Sequence, residues 1–282
     1  AQNGYTVVST IDLNIQKIIE DNIEEYMKTT GAKKIGVIAM DPDTAEVLGM
    51  STSYSYDPNE PMDTDALRNM KVTVTESTEA ATEDSSEEGS SEDTTDATTE
   101  EPKDPEKITY DFSSMTDDEF KKTIDDLTSD QTYEALDAVW RNYCISDILE
   151  PGSTFKPFTI AGAIEDGVVK DGDTFYCKGY EIVADGTDPI YCHNRTGDGT
   201  LTLKQALEQS CNVALMQIAK SEGKETFSKY QDIFNFGSQT GIDLSGEGSG
   251  LVYSEENLNP VELATSSFGQ GINVTMIQMA AA

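Results

Sequence analysis

One histidine and one tryptophan occur in 282 residues, and only 19 lysines and arginines stand against 53 aspartates and glutamates. The net charge of −34 argues against nucleic acid as a partner, since phosphate binding needs clustered cations. It also argues against charge-driven docking on anionic lipid; solubility is the simpler meaning. No apolar run approaches the ~18 residues of a membrane span, so no transmembrane helix or signal peptide is expected in this sequence. Hydrophobic residues make up 37%, a low value largely caused by one polar tract, and the remainder suffices for a core. The length allows one large domain or two ordinary ones.

That tract runs from about Thr73 to Lys107. Between Glu76 and Glu101 it holds eleven acidic residues, no basic residue and no aromatic. Such a segment buries too little apolar surface to offset its ordering entropy, so disorder is expected over 73–107, as an insertion within a single domain spanning 1–282. A tolerated low-complexity insertion accounts for it more simply than a spacer or a wall-facing brush.

Around the tract the chain reads as α/β. Leu13, Ile15, Ile18, Ile19, Ile23 and Tyr26 recur at helical spacing, and Gly31 ends that helix. Lys34–Met40 and Ala45–Ser51, with Asp41-Pro-Asp-Thr44 between them, predict a β-hairpin. Helices are expected over Thr116–Leu127 and Thr132–Trp140.

The chemistry centres on Glu150-Pro-Gly-Ser-Thr-Phe-Lys-Pro157. Pro157 is tolerated only in a first helical turn, so Ser153 lies at or beside a helix N-terminus, where orphan N–H groups favour negative charge. Lys156, three residues on, shares its face. A serine with an amine one turn away is a candidate nucleophile with its base. Alone, Ser-x-x-Lys is common. A second motif, Ser210-Cys-Asn212, lies between the amphipathic Leu201–Gln209 and the apolar Val213–Ala219. It offers a second hydroxyl as a proton relay and a carboxamide to hold Lys156 or a substrate amide.

In this order and spacing the chain resembles the transpeptidase domain of class B penicillin-binding proteins, closest to division- and sporulation-type enzymes. Further residues carry the resemblance: Val8-Ser-Thr-Ile-Asp-Leu-Asn-Ile-Gln16, Asp41-Pro-Asp-Thr-Ala-Glu-Val-Leu-Gly-Met50, Tyr56-Asp-Pro-Asn59, Trp140-Arg-Asn142, Thr240-Gly-Ile-Asp-Leu-Ser-Gly-Glu247 and Ser267-Phe-Gly-Gln-Gly271. The resemblance implies a penicillin-binding-protein/serine β-lactamase-like α+β fold, with an antiparallel five-stranded sheet flanked by helices and an all-helical part holding Ser210. It implies a D,D-transpeptidase with Ser153, Lys156, Ser210 and Asn212 as catalytic residues and no cofactor. The implied partners are stem peptides ending in D-Ala-D-Ala, β-lactams and a glycosyltransferase of the wall machinery. The implied location is the outer face of the bacterial membrane, held by an N-terminal helix preceding this sequence. The family's third motif, Lys-[Ser/Thr]-Gly beyond Gly271, is not found before Ala282. The sequence therefore reads as a C-terminally truncated copy carrying the first two sheet strands, expected to be inactive alone.

Cys177 and Cys192 lie fifteen apart, on either side of a strand expected over Tyr180–Ala184 and a turn at Asp185-Gly186, so a disulfide between them is geometrically easy and, outside the membrane, the first reading. Some relatives hold a structural zinc in this region. Cys177, Cys192, His193 and Cys211 would form the alternative Cys₃His set, although ligation by the adjacent Cys192 and His193 is strained and Asp198-Gly199 replaces the family's histidine-glycine step. Free thiols are a third reading. Cys144 and Cys211 read otherwise as small buried residues, and His193 as non-catalytic. The rival functions are a serine β-lactamase, with Glu262 as formal deacylation base, a β-lactam sensor, and a non-catalytic wall-binding module.

Overall fold

The computed structural model of the protein describes residues 6–76 and 106–282. The described elements are α1 (Leu13–Thr30), β1 (Gly36–Met40), β2 (Val47–Thr52), β3 (Lys71–Thr75), β4 (Lys107–Asp111), α2 (Asp117–Asp126), α3 (Ser129–Trp140), α4 (Tyr143–Ser146), β5 (Ile148–Leu149), α5 (Lys156–Glu165), β6 (Thr174–Cys177), β7 (Tyr180–Glu181), β8 (Ile190–Tyr191), β9 (Gly199–Thr202), α6 (Leu203–Glu208), α7 (Asn212–Ile233), α8 (Pro260–Ser266), β10 (Val274–Thr275) and α9 (Met276–Ala281). Every described strand pair is antiparallel: β1 with β2, β3 with β4, β5 with β10, β6 with β9 and β7 with β8.

The chain groups into two compact units, residues 1–53 with 142–282, and residues 54–141, where the sequence suggests one domain. The physical reason is a separate core. Leu67, Val72, Val74, Phe112, Phe120, Ala135 and Leu136 of the smaller unit bury one another. The tract expected over 73–107 is corrected at both ends, because Thr73–Thr75 complete β3 and Lys107 opens β4, in register Thr75 to Lys107. Val72 and Val74 face the core while Thr73 and Thr109 share a hydroxyl contact on the other face. Short-range composition hides this period-two pattern. The rest of the expected disordered stretch lies outside the described residues.

In the larger unit α1 begins where the Asp12 carboxylate accepts the N–H groups of Asn14 and Ile15, an N-cap. It ends at Gly31 in the left-handed region. Of its predicted apolar stripe only Ile19 and Ile23 are buried, whereas Leu13, Ile18 and Tyr26 are exposed. The strand expected over Tyr180–Ala184 is shorter, ending at Glu181, where the two-rung ladder of β7 and β8 stops. The largest cluster of the core gathers around α7, with Val213, Ala214, Leu215, Met216 and Ile218 against Ile160 and Ala163 of α5. This packing fixes the start of both helices, which carry the two motifs.

One group in this core is ill matched to it. Glu222 is 8% exposed, and neither carboxylate oxygen has a hydrogen-bond partner. It lines a small cavity with Phe155, Thr159, Phe227 and Gln231. Burial, and then the charge of Asp166, which itself bonds Lys229 and Tyr230, raise its pKa from 4.5 to about 7. The folded state therefore holds this proton more tightly than the unfolded chain, and stability falls as pH rises from about 4.5 to 7. The loss amounts to about 3 kcal/mol. Glu222→Gln should flatten that dependence and raise stability at pH 8 by about 1–3 kcal/mol, read by urea unfolding at pH 5 and 8. Unchanged pH dependence in the variant would contradict this account.

Candidate active site

Pro151 and Gly152 turn the chain into a short 3-10 segment, Gly152–Phe155, which runs into α5 with Pro157 in its first turn. Ser153 thus sits one turn before α5 proper. Gly152 donates its N–H to the Gly269 carbonyl at 2.9 Å, and Glu150 accepts the N–H of Gly271 at the same distance. A Cβ at Gly269 would lie 2.1 Å from the Gly152 oxygen, so only glycine permits this approach. Thr159 Oγ1 donates to the Ser267 carbonyl at 2.9 Å. The Ser267-Phe-Gly-Gln-Gly271 signature therefore braces the nucleophile turn from behind, a role the sequence left open.

The second motif is placed by the turn between α6 and α7. Thr202 and Gln205 cap α6 reciprocally, and Ser210 adopts φ 51°, a strained conformation for a residue with a Cβ. Asn212 opens α7. These turns bring the four predicted residues together. Lys156, 1% exposed, donates to Ser210 O at 2.6 Å, to Ser210 Oγ at 2.8 Å and to Asn212 Oδ1 at 2.8 Å. Ser210 Oγ donates to Ser153 Oγ at 2.9 Å. The hydrogen-bonded connection from Ser153 to Lys156 thus runs through Ser210. Burial pushes the Lys156 pKa down, and the sulfurs of Cys192 and Cys211 partly oppose this.

Beside this site Cys177, Cys192, Cys211 and Asp198 bring one ligand atom each to within 4.8 Å of one another. All four cysteines of the chain are free thiols and buried. The member of this group beside the three cysteines is Asp198 and not the His193 of the Cys₃His alternative; His193 is exposed, its Nδ1 3.6 Å from Cys192 Sγ. Cys177 and Cys192 do lie together but are not bridged. The donor set fits a tetrahedral ion. Cys192 Sγ and Cys211 Sγ are 3.9 Å apart, near the ~3.8 Å edge expected for Zn–S bonds of about 2.3 Å, and Asp198 Oδ2 is buried without a partner. Burial alone would raise the Cys192 thiol, but the N–H groups of Asn212, Val213 and Asn194 lower its pKa overall, whereas burial drives Cys211 to about 12. Cys144 is buried elsewhere, its pKa raised to about 11 by desolvation, and takes no part. The Asp198-Gly199 substitution was the available signal for the fourth ligand.

Residues 94–282 match the family described as the penicillin binding protein transpeptidase domain. The chain belongs to that family. Over its whole length it is 36% identical to the Stage V sporulation protein D of Bacillus subtilis, covering 32% of that protein. Half of it is 32% identical to the peptidoglycan D,D-transpeptidase FtsI of Escherichia coli, covering 23% of that protein. Among solved structures it resembles Pseudomonas aeruginosa PBP2, with TM-score 0.66 and 22% identity over 98% of this chain and 50% of that one. It also resembles the transpeptidase domain of Burkholderia pseudomallei penicillin-binding protein 3, with TM-score 0.61 and 20% identity over 99% and 57%. These likenesses agree with the expected α/β penicillin-binding-protein fold. The chain spans about a third of the first of these relatives.

A lysine amine accepts a proton only when it is neutral. The pKa of Lys156 is lowered from 10.5, so the acylation rate should rise with pH and level off once the amine is deprotonated, below the pH an exposed lysine would require. Lys156→Arg should cost at least ~10²-fold at every pH. Stopped-flow acylation of the natural full-length protein by a chromogenic cephalosporin between pH 6 and 10 reads both; a flat profile that survives the substitution would remove Lys156 from the base role.

Proposed function

We propose that this chain is the catalytic part of a peptidoglycan D,D-transpeptidase. The observation that carries the reading is the connection Ser153–Ser210–Lys156–Asn212, assembled from two motifs 57 residues apart. Ser153 Oγ attacks the carbonyl carbon of the penultimate D-alanine, and its proton passes through Ser210 to Lys156. The Ser153 N–H supports the developing oxyanion. The C–N bond to the terminal D-alanine breaks, and the leaving amine takes the proton back along the same route. An amine of a second stem peptide then attacks the ester carbon; the C–Oγ bond breaks, the amine's proton passes by way of Lys156 and Ser210 to Ser153 Oγ, and the new amide is the cross-link. Asn212 holds Lys156 by its carbonyl oxygen; its amide nitrogen donates one hydrogen to Tyr191 O at 3.4 Å and has a second to offer a peptide carbonyl. A β-lactam acylates the same serine.

The substrates on this reading are stem peptides ending in D-Ala-D-Ala. The setting is the extracytoplasmic face of the membrane, beside a glycosyltransferase that supplies the glycan. No described helix is long and apolar enough to cross a membrane. The cysteine set is a structural metal site in this proposal, with Cys177, Cys192, Cys211 and Asp198 as ligands. Zinc there would tie β6 and the segment after β8 to the start of α7. A disulfide between Cys177 and Cys192 is the competing state.

The deciding test is labelling of the natural full-length protein with fluorescent penicillin, with mass spectrometry of the labelled peptide. A long-lived adduct on Ser153 that disappears in Ser153→Ala supports the transpeptidase. Rapid loss of label would indicate a β-lactamase, and no label would leave a wall-binding module. Native mass spectrometry of the same protein, with and without chelator, should show one zinc lost together with a fall in melting temperature. A mass two hydrogens lower with no metal would establish the disulfide instead.

A further inference from the structure

Next to Asn212 the β7–β8 hairpin carries a surface that the reaction as derived does not use. Tyr180 and Tyr191 are directly paired across the two strands, and their ring centroids are 6.1 Å apart. Each ring carries a cation: Lys178 Nζ lies 4.8 Å from the centre of the Tyr180 ring, and the Arg195 guanidinium 4.4 Å from that of Tyr191. The backbone holds this group together. A Cβ at Gly179 would fall 2.2 Å from the Arg195 carbonyl oxygen, so the segment bearing Arg195 is pressed against the turn between Lys178 and Tyr180. Cys192 N–H closes on Gly179 O at 2.9 Å.

This surface abuts the catalytic residues. Asn212 Nδ2 meets the Tyr191 carbonyl, while the same side chain accepts from Lys156. Tyr191 is 45% exposed, so its ring is available to a ligand. The two cations differ. Lys178 is offset by Glu181, 3.8 Å away, and Glu181 also takes a hydrogen bond from Gln217. Arg195 makes no ion pair among the described residues, in a chain with 53 acidic side chains. A guanidinium stacked on an aromatic face is pre-oriented, and its in-plane donors match a carboxylate. Orienting it in advance lowers the entropy lost when that contact forms.

We propose that the Tyr180–Tyr191 ring pair with Arg195 is a docking platform for a peptide bearing a free carboxylate, in which the rings take the apolar part of the chain and Arg195 reads the charge. It rests on the reading of the substrate as a peptide, and it deepens that reading by making a free carboxylate, apart from the D-Ala-D-Ala end, a determinant of which stem peptide is bound. Arg195 is a specificity residue here, and Tyr191 links it to Asn212 through the backbone.

The experiment uses the natural full-length protein carrying Ser153→Ala, so that binding is measured without turnover. The probes are two synthetic pentapeptides ending in D-Ala-D-Ala, identical except that the side-chain carboxylate of the third residue or the free α-carboxylate of a γ-linked second residue is present in one and amidated in the other. Affinities come from NMR titration. The free acid should bind about tenfold more tightly, the size expected when one charge-assisted contact is made. Arg195→Gln should erase that difference while leaving the amidated peptide unchanged, and Arg195→Lys should restore only part of it. Tyr191→Leu should weaken both peptides. Equal affinity for the two peptides, a preference that survives Arg195→Gln, or no binding of either at millimolar concentration would overturn the platform. Penicillin labelling of Ser153 in the protein with Arg195→Gln alone is read separately. Normal labelling with no carboxylate preference discards the platform and keeps the transpeptidase, whereas a carboxylate preference without any Ser153 labelling keeps the platform and discards the enzyme reading.

Discussion

The buried amine of Lys156 is the constraint on which the larger unit turns. A lysine ammonium taken out of water without a carboxylate beside it is costly, and that cost falls only if each of its donors finds an acceptor. Here the acceptors are Ser210 O, Ser210 Oγ and Asn212 Oδ1, all from one turn. Satisfying them requires α5 and α7 to meet at their N-termini, and it requires Ser210 to hold its strained φ. The apolar contacts of Ile160 and Ala163 with Val213 and Leu215 supply the packing that over-determines the turn. Compensation is incomplete, so burial still favours the neutral amine relative to an exposed lysine.

The N-terminus of α7 serves two sites at once. Its side chain at Asn212 faces Lys156, while the N–H groups of Asn212 and Val213 point to the Cys192 sulfur. Orphan donors at a helix start stabilise a nearby negative group, so the same backbone that sets the Ser-x-Asn turn also favours the thiolate a metal would bind. Cys211 lies between the two motif residues and takes the Ala214 N–H on its sulfur as the N-cap of α7. The cysteine cluster is therefore built into the frame of the active site and is not an ornament of a distant hairpin.

Elements whose signal is local were legible in the sequence. The α1 helix with Gly31 at its end, the β1–β2 hairpin, and the start of α5 at Pro157 all follow from a few adjacent residues. The same holds for Ser153 with Lys156 and for Ser210 with Asn212, because each pair is one turn or less apart. What needed the fold was what crosses the chain. The route from Ser153 to Lys156 through Ser210 depends on two segments meeting. The fourth member of the cysteine set depends on how the chain returns after β8: adjacency made His193 the obvious neighbour, yet extended backbone turns consecutive side chains apart, and Asp198 comes in instead. Composition was misleading at Thr73–Thr75 and Lys107, where threonine and lysine on the exposed face of a strand look like the flanking polar tract.

The scarcity of histidine and the excess of acid bear on the same point. With one histidine, exposed and outside the motif pair, the chain draws its candidate base from lysine, whose ordinary pKa is too high for the task. A net charge of −34 would raise that pKa further if it acted at full strength on the amine, since negative potential favours the ammonium. Two features prevent this. Water and salt screen exposed carboxylates beyond about 10 Å, and the hydrogen-bond partners of Lys156 are all neutral oxygens. The sulfurs of Cys192 and Cys211 act against the lowering, and their effect is smaller than that of burial. An acidic sequence and a lowered amine pKa are thus compatible because the hydrogen-bond partners of the amine are uncharged. A carboxylate placed at Asn212 would bring the surface charge to the amine and cancel the effect of burying it.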